Sequence, residues 1–368
     1  MRQLTVLVGG NGVGKTNLYR ALELMHAAAT GRIAHEIARE GGLGSVFWAG
    51  GRNLGDSAGY DPAQWTFGMW KGQKSRLMLE AVLADLAGVD ARYRIELGYP
   101  TPNSAAFQNE VLIKQEEVRL LGPRPATVLE RKAQAVWARD RAGRRELVDE
   151  TMLPSETALA AFGPSRAEVD AVRIALANWR FFHTFRTDPD SPLRRPCHAV
   201  TAPLLDSDGA NLAAVFATLH HIRQDSRELD AAVESAFPGA QLVVPPPGSQ
   251  ASFGMIFPEM PKRVFAAHEL SDGTLRFLGL LGALQSYRLP PFIALNEPET
   301  SLHPSLLPAL AQSIVRAAER TQIWVVTHAR DLADAIGRLG GIVPREVTRG
   351  GDGTAIRGLT PLGAFEGE

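Results

Sequence analysis

The sequence predicts an α/β fold with an antiparallel β lobe and an inserted helical region, and three observations support it. Leu4–Val8 is a short, β-branched apolar run of the kind that forms a buried parallel strand. It passes through a glycine-rich turn, GGNGVGKT, into the helically spaced segment Asn17–Ala29, with Leu18, Leu22 and Met25 on one face. A second apolar run, Phe292–Leu295, follows the turn-forming Pro290-Pro291 and leads straight into Asn296-Glu297-Pro298-Glu299. Between them, Arg76–Asp85, Arg92–Tyr99, Glu110–Leu121 and Thr127–Asp140 alternate apolar and polar residues at strand spacing. Ser165–Trp179 and Gly209–Arg223 have the spacing of helices instead.

Composition agrees with a folded, water-facing chain. The 368 residues are 45% hydrophobic and 21% charged, which excludes disordered, collagenous and disulfide-scaffold classes. Cys197 is the single cysteine and the first 30 residues lack the pattern of a signal peptide, so the cytoplasm is the expected compartment. The charge-free stretch Gly239–Pro258 contains three consecutive prolines and polar residues, so no membrane span is expected. A net charge of -1 gives no overall pull toward nucleic acid. The patterns divide the chain into residues 1–75 and 251–368 as two parts of one core, 76–150 as the β lobe and 151–250 as a mainly helical insertion.

Gly9 to Thr16 fits the phosphate-binding loop pattern, Gly, four residues, then Gly-Lys-Thr, in the strand–loop–helix setting that pattern needs. Glycines let backbone N–H groups turn inward around a phosphate at the positive end of the helix. Lys15 then reaches the β- and γ-phosphates of a nucleotide, and the Thr16 hydroxyl ligates magnesium. The candidate nucleotide-binding set is Gly9, Asn11, Gly12, Gly14, Lys15, Thr16 and Asn17. The run ending in Asn296-Glu297 reads as a Walker B strand, whose carboxyl end faces the phosphate loop in open α/β sheets. Glu297 is the candidate general base on an attacking water, and Asn296 the candidate metal residue, offering an oxygen without a charge. In LSDGT, Ser271 is a good N-cap and Gly273 leaves the helix end open to an anion; alone, the segment is equally an ordinary capped helix start. His328 ends the strand Ile323–Thr327 beside the other strand ends.

In this order, GGNGVGKT, LSDGTLR, FIALNEPETSLHP and WVVTHAR resemble the P-loop NTPase head of an ABC-type ATPase, in the RecF, SMC and OLD-like branch, and most closely the bacterial predicted AAA-family ATPases of that group. The resemblance implies ATP and Mg2+ as cofactors and a homodimer formed on ATP, in which the LSDGT loop of one subunit closes over the nucleotide of the other. Ser271 and Gly273 then act in trans, Ser301-Leu302-His303 is the D-loop at the dimer seam, and His328 contacts the γ-phosphate.

The chain departs from that pattern in several places. Only Met1–Gln3 precede the first strand, where such heads carry an antiparallel pair, so either the N-terminal lobe is short or the start is late. Gly42–Gly50 resembles the segment after the Q-loop, but no Gln lies between Thr16 and Phe47. About 250 residues separate the phosphate loop from LSDGT, which weakens a transporter motor reading. No long heptad run exists, so the SMC coiled-coil arm is not expected. The 40 residues after His328 read as a helix, Ala329–Leu339, and a hairpin turning at Gly350–Gly353, with no room for an OLD-type nuclease. Lys114–Arg145, with nine Lys/Arg against four Asp/Glu, and the aromatic and Arg-rich Trp179–Arg195 could track a DNA backbone. A solvated face and core aromatics are the stronger reading of both. The expected function is slow Mg-ATP hydrolysis by paired heads acting as a clamp or switch on DNA or on a separately encoded effector, in repair or antiphage defence. A nucleotide switch with little hydrolysis is the alternative.

Overall fold

The centre of the molecule is a six-stranded sheet in the order Arg180–Phe182, Phe292–Asn296, Gln322–Thr327, Leu4–Val8, Arg345–Gly350, Gly353–Ile356. The structure, a computed structural model, describes residues 3–46, 65–66, 69–70, 76–86, 88–99, 110–140, 142–350 and 353–359. It divides into two compact units. The first holds Met1–Thr16, Trp179–Thr348 and Thr354–Glu368; the second holds Asn17–Asn178 and Arg349–Gly353.

In the first unit, the strands from Arg180–Phe182 through Arg345–Gly350 pair in parallel. Phe292–Asn296, Gln322–Thr327 and Leu4–Val8 are mostly buried and apolar, as suits strands covered on both faces, whereas Arg345–Gly350 buries only Val347. Register is explicit: Val8 lies opposite Thr327, and Asn296 opposite Val326. The helix Asp272–Gln285 is buried at every residue from Thr274 onward, so the leucines at helical spacing are only one side of a helix that lies wholly in the core. Leu307–Ala318 and Arg330–Gly340 complete the packing with apolar faces that include Leu310, Ile314, Leu332 and Ile336.

Several elements differ from the sequence expectation. Arg180–Phe182 is a strand of the central sheet, and Trp179, Phe182 and Phe185 are buried, in line with the core reading of these aromatics. Gly209–Arg223 becomes the helix Leu212–Ala217 continued by a π-helical turn, Thr218–Arg223. Pro245–Pro247 joins two short strands, Gln241–Val243 and Gln250–Ala251, inside the first unit. The C-terminal hairpin forms, although its turn residues 351–352 lie outside the described residues. Of the Gly42–Gly50 segment, Leu43–Val46 is helical and residues 47–50 lie outside the described residues.

The second unit contains an antiparallel meander of six strands in chain order, Arg76–Leu86, Val89–Gly98, Leu112–Leu120, Ala126–Lys132, Ala135–Arg139 and Arg145–Asp149. One expected strand, Thr127–Asp140, is thus a tight hairpin, with Ala133 in the left-handed region at φ 55°. Alternate residues Ala91, Tyr93, Ile95 and Leu97 are fully buried. Within this apolar face Glu116 accepts from Tyr93 Oη (2.9 Å) and from the N–H groups of Ala158 and Leu159 (2.7 and 2.8 Å), capping the helix Ala158–Phe162. Burial pushes its carboxyl above the ordinary value, against the backbone bonds that hold it down. Arg131, with no exposed surface, donates to Leu153 O (2.9 Å) and to Glu156 O, latching the connection after the meander. Several basic residues of Lys114–Arg145 pair with the lobe's own acids, including Lys132 and Arg145 with Glu130 and Arg144 with Asp140. Among the described residues no helix is long and apolar enough to cross a membrane.

Removing the Arg131 charge takes away the cation that offsets Glu116 and leaves the carbonyls of Ala133, Leu153, Pro154 and Glu156 without this donor. Arg131→Met is therefore expected to cost about 3–5 kcal/mol of lobe stability, seen as a lower urea midpoint by tryptophan fluorescence; an unchanged midpoint contradicts the latch.

Candidate functional site

The phosphate loop leaves the sheet after Val8 and returns as the helix Lys15–Ala29. Asn11, Gly12, Thr16 and Asn17 are exposed, and Gly12 and Gly14 take positive φ of 78° and 94°. Gly14 also admits a neighbour: a Cβ there would fall 1.8 Å from Thr354 Oγ1, which donates to Val13 O at 3.0 Å. A Cβ on Gly9 would meet Val347 O at 2.7 Å. The C-terminal hairpin thus braces the loop from behind, a role for Val347 and Thr354 that no motif announces. Lys15 is 5% exposed and donates to Gly9 O (2.6 Å) and Gly10 O (2.8 Å). A buried ammonium needs such acceptors, and the loop's own carbonyls supply them.

The adjacent strand ends bring the other candidates to the same edge. Glu297 N donates to Val326 O at 2.7 Å, extending the ladder by one residue, and the chain then turns with Glu297 at φ 47° and Ser301 at φ 61°. Such left-handed non-glycine residues store strain of a kind concentrated at functional sites. Glu297 Oε1 lies 3.4 Å from His328 Nδ1. Glu299 is buried; its Oε1 accepts from Thr327 Oγ1 (2.6 Å) and from the N–H groups of His328 (3.1 Å) and Ala329 (3.2 Å), and sits 3.1 Å from His328 Nδ1.

Asn296 Oδ1 is buried without a hydrogen-bond partner, while its Nδ2 lies 3.4 Å from His183 Nδ1. An acceptor oxygen with no donor at this strand end fits a cation, and the exposed Thr16 would offer it a hydroxyl oxygen. Among the described residues no three His, Cys, Asp or Glu side chains gather as a metal cluster, so an all-protein cage is not what the site offers.

Ser271 caps the helix Asp272–Gln285, accepting from Thr274 N at 3.2 Å, and Ser271 and Asp272 are exposed. A Cβ on Gly273 would lie 3.2 Å from Ser301 O, so the helix start and the turn after Glu299 touch within one chain. Arg194 clamps this start: it donates to His268 O and Leu270 O (both 2.9 Å), to Asp272 Oδ1 (2.6 Å) and to Thr187 O (2.8 Å). Arg276, one turn into the helix, is 4% exposed; burial pulls its guanidinium down from the ordinary value, and the Glu299 charge works against that pull. The sequence patterns missed Arg194, Glu299, Arg276 and His183. Only Glu299 carries a local signal, as the second carboxylate of NEPE.

The parallel sheet and the strand–loop–helix unit around Gly9–Thr16 define a P-loop α/β fold. The chain belongs to the family described as "AAA domain, putative AbiEii toxin, Type IV TA system", which it matches over residues 4–329. No curated protein matches it. Similar solved structures include an SMC head bound to the C-winged helix domain of ScpA, at 14% identity over 96% of this chain and 89% of that one, with a TM-score of 0.47. The SMC head domain from Thermotoga maritima has 14% identity, the same coverages and a TM-score of 0.40. An SMC head with an extended coiled coil from Pyrococcus furiosus, bound to the C-terminal domain of ScpA, has 13% identity, again 96% and 89% coverage, and a TM-score of 0.44.

Proposed function

We propose that the chain is a cytoplasmic ATPase that binds Mg-ATP at Gly9–Thr16 and hydrolyses it slowly when two copies close around it. ATP then serves as a clamp or switch on DNA or on a separately encoded partner, in repair or antiphage defence. The observation that carries this reading is the meeting of the phosphate loop, Glu297 and His328 at one sheet edge, with Glu297 Oε1 3.4 Å from His328 Nδ1. Lys15 exchanges its two loop carbonyls for oxygens of the β- and γ-phosphates. Glu297 accepts the proton of the attacking water, and His328 orients the γ-phosphate. Thr16 and Asn296 would hold magnesium, which when bound offsets charge on the phosphates.

The exposed helix start at Ser271 and Asp272, with unpaired amides behind it, supports engagement of an anion on a second copy. The family description, naming a toxin of a type IV toxin–antitoxin system, supports a separately encoded partner. The neutral Asn296 favours a second reading, a nucleotide-dependent switch with little hydrolysis. A transporter motor is disfavoured by the long insertion.

Glu297→Gln is expected to retain ATP but lower turnover by about 100-fold or more, measured as phosphate release under saturating nucleotide. Turnover at the parental rate assigns the base to another residue, and a parent that binds ATP without measurable turnover selects the switch reading. For the paired site, mixing a Lys15→Ala chain with a Ser271→Arg chain should restore about one working site per mixed dimer. A mixture as inactive as its parts, or a chain that stays monomeric in sedimentation with a slowly hydrolysed analogue, contradicts closure of two copies.

A further inference from the structure

Glu299 is more heavily bonded than the candidate base two residues before it, and the chemistry assigned to the site does not use it. Its Oε1 binds the Thr327 hydroxyl and the N–H groups of His328 and Ala329, the three groups that shape the turn presenting the His328 ring. The same oxygen lies 3.1 Å from His328 Nδ1, and Glu297 Oε1 lies 3.4 Å from that nitrogen. Ionised carboxylate oxygens repel the lone pair of a bare ring nitrogen, so two of them beside Nδ1 favour a proton on that nitrogen. Nε2 then meets a phosphate oxygen only as a second N–H, in the doubly protonated ring.

The other oxygen of Glu299, Oε2, is buried and has no hydrogen-bond partner. Arg276 Nη2 is buried without a partner as well, and the two side chains, 7% and 4% exposed, lie within electrostatic reach of each other. Buried opposite charges that each retain a free atom favour closer contact. Arg276 sits on the helix that begins at Asp272, capped by Ser271, and every residue of that helix from Thr274 onward is packed in the core. A close-packed helix moves as a body, so a displacement of its exposed start is carried to Arg276.

We propose that Glu299 is a positioning residue that fixes the tautomer and orientation of His328, and that Arg276 ties this carboxylate to the helix capped by Ser271, so that an anion engaged at the helix start is read at His328. The last step rests on the ATPase reading above; the first two concern the chain without nucleotide. In that device His328 reports on the nucleotide of its own chain while Ser271 and Gly273 report on that of the second copy, and the Arg276–Glu299 pair joins the two.

The test is the ring nitrogen spectrum of the full chain labelled with 15N-histidine, in mildly alkaline buffer without nucleotide, with His328 assigned by its loss in His328→Gln. The parent should show His328 with Nδ1 protonated. Glu299→Ala should lose that tautomer as the dominant species, and the isosteric Glu299→Gln should shift it in the same direction by less, which keeps the test available if the Ala variant does not fold. Arg276→Met should also shift the His328 signals, Arg276→Lys should restore them, and Arg276→Met added to Glu299→Gln should change nothing further. A parental His328 spectrum in both Glu299 variants overturns the positioning role, and independent, additive shifts overturn the link to Arg276, whether or not the chain hydrolyses ATP. Where the parent does turn over ATP, Glu299→Gln and Arg276→Met should each lower kcat by about tenfold or more with KM for ATP within about twofold, and together lower it no further than the worse of the two. Multiplied losses, or losses confined to KM, also contradict the proposal.

Discussion

Three parallel strands end within one residue of each other, and the rest of the site depends on that register. Val8 is opposite Thr327 and Asn296 opposite Val326, so Gly9, His328 and Glu297 all leave the sheet at the same edge. A slip of one residue in any strand would send its last side chain to the other face and put an apolar residue there instead. The register is held by burial on both faces: Leu7, Ile293, Leu295, Ile323 and Val325 have no exposed surface. The helix Asp272–Gln285, buried from Thr274 onward, lies in the same core and fixes the start capped by Ser271 relative to the sheet.

With the geometry fixed, electrostatics decides what the edge can hold. Glu297 and Glu299 both approach one nitrogen of His328, and a third carboxylate at position 296 would add a further negative charge beside an already anionic nucleotide. Asn296 keeps the oxygen and drops the charge, with its Nδ2 turned toward His183. On the proposed ATPase reading, a neutral oxygen would hold a cation less strongly than a carboxylate, a feature shared by slow turnover and by switching. Lys15, folded onto Gly9 and Gly10, has its buried charge met by two backbone carbonyls.

Much of this was legible in the sequence because the relevant signals are local. Leu4–Val8, Phe292–Asn296 and Gln322–Thr327 are short apolar runs bounded by glycine, proline or polar turns, and Ser271 caps its helix as its residue type suggests. The strand Arg180–Phe182 was hidden because three residues carry no periodicity and its aromatics suit a core or a stacking surface equally well. The hairpin at Ala133 was read as one strand because no Gly, Asn or Pro marks a turn that Ala133 makes at positive φ. Arg194 reaches partners 74 to 78 residues away and Glu299 partners 28 to 30 residues away, while Arg276 meets Glu299 from another element, and such partners leave no local spacing to find.

The site makes one claim on which every other reading rests, that the loop Gly9–Thr16 is a nucleotide phosphate site closed by Lys15. Calorimetric titration of Mg-ATP into the parent chain and into Lys15→Ala tests it most directly. Saturable binding of about one nucleotide per chain by the parent, weakened by about 100-fold or more in the variant, is the predicted result; equal affinity in the two chains would contradict it.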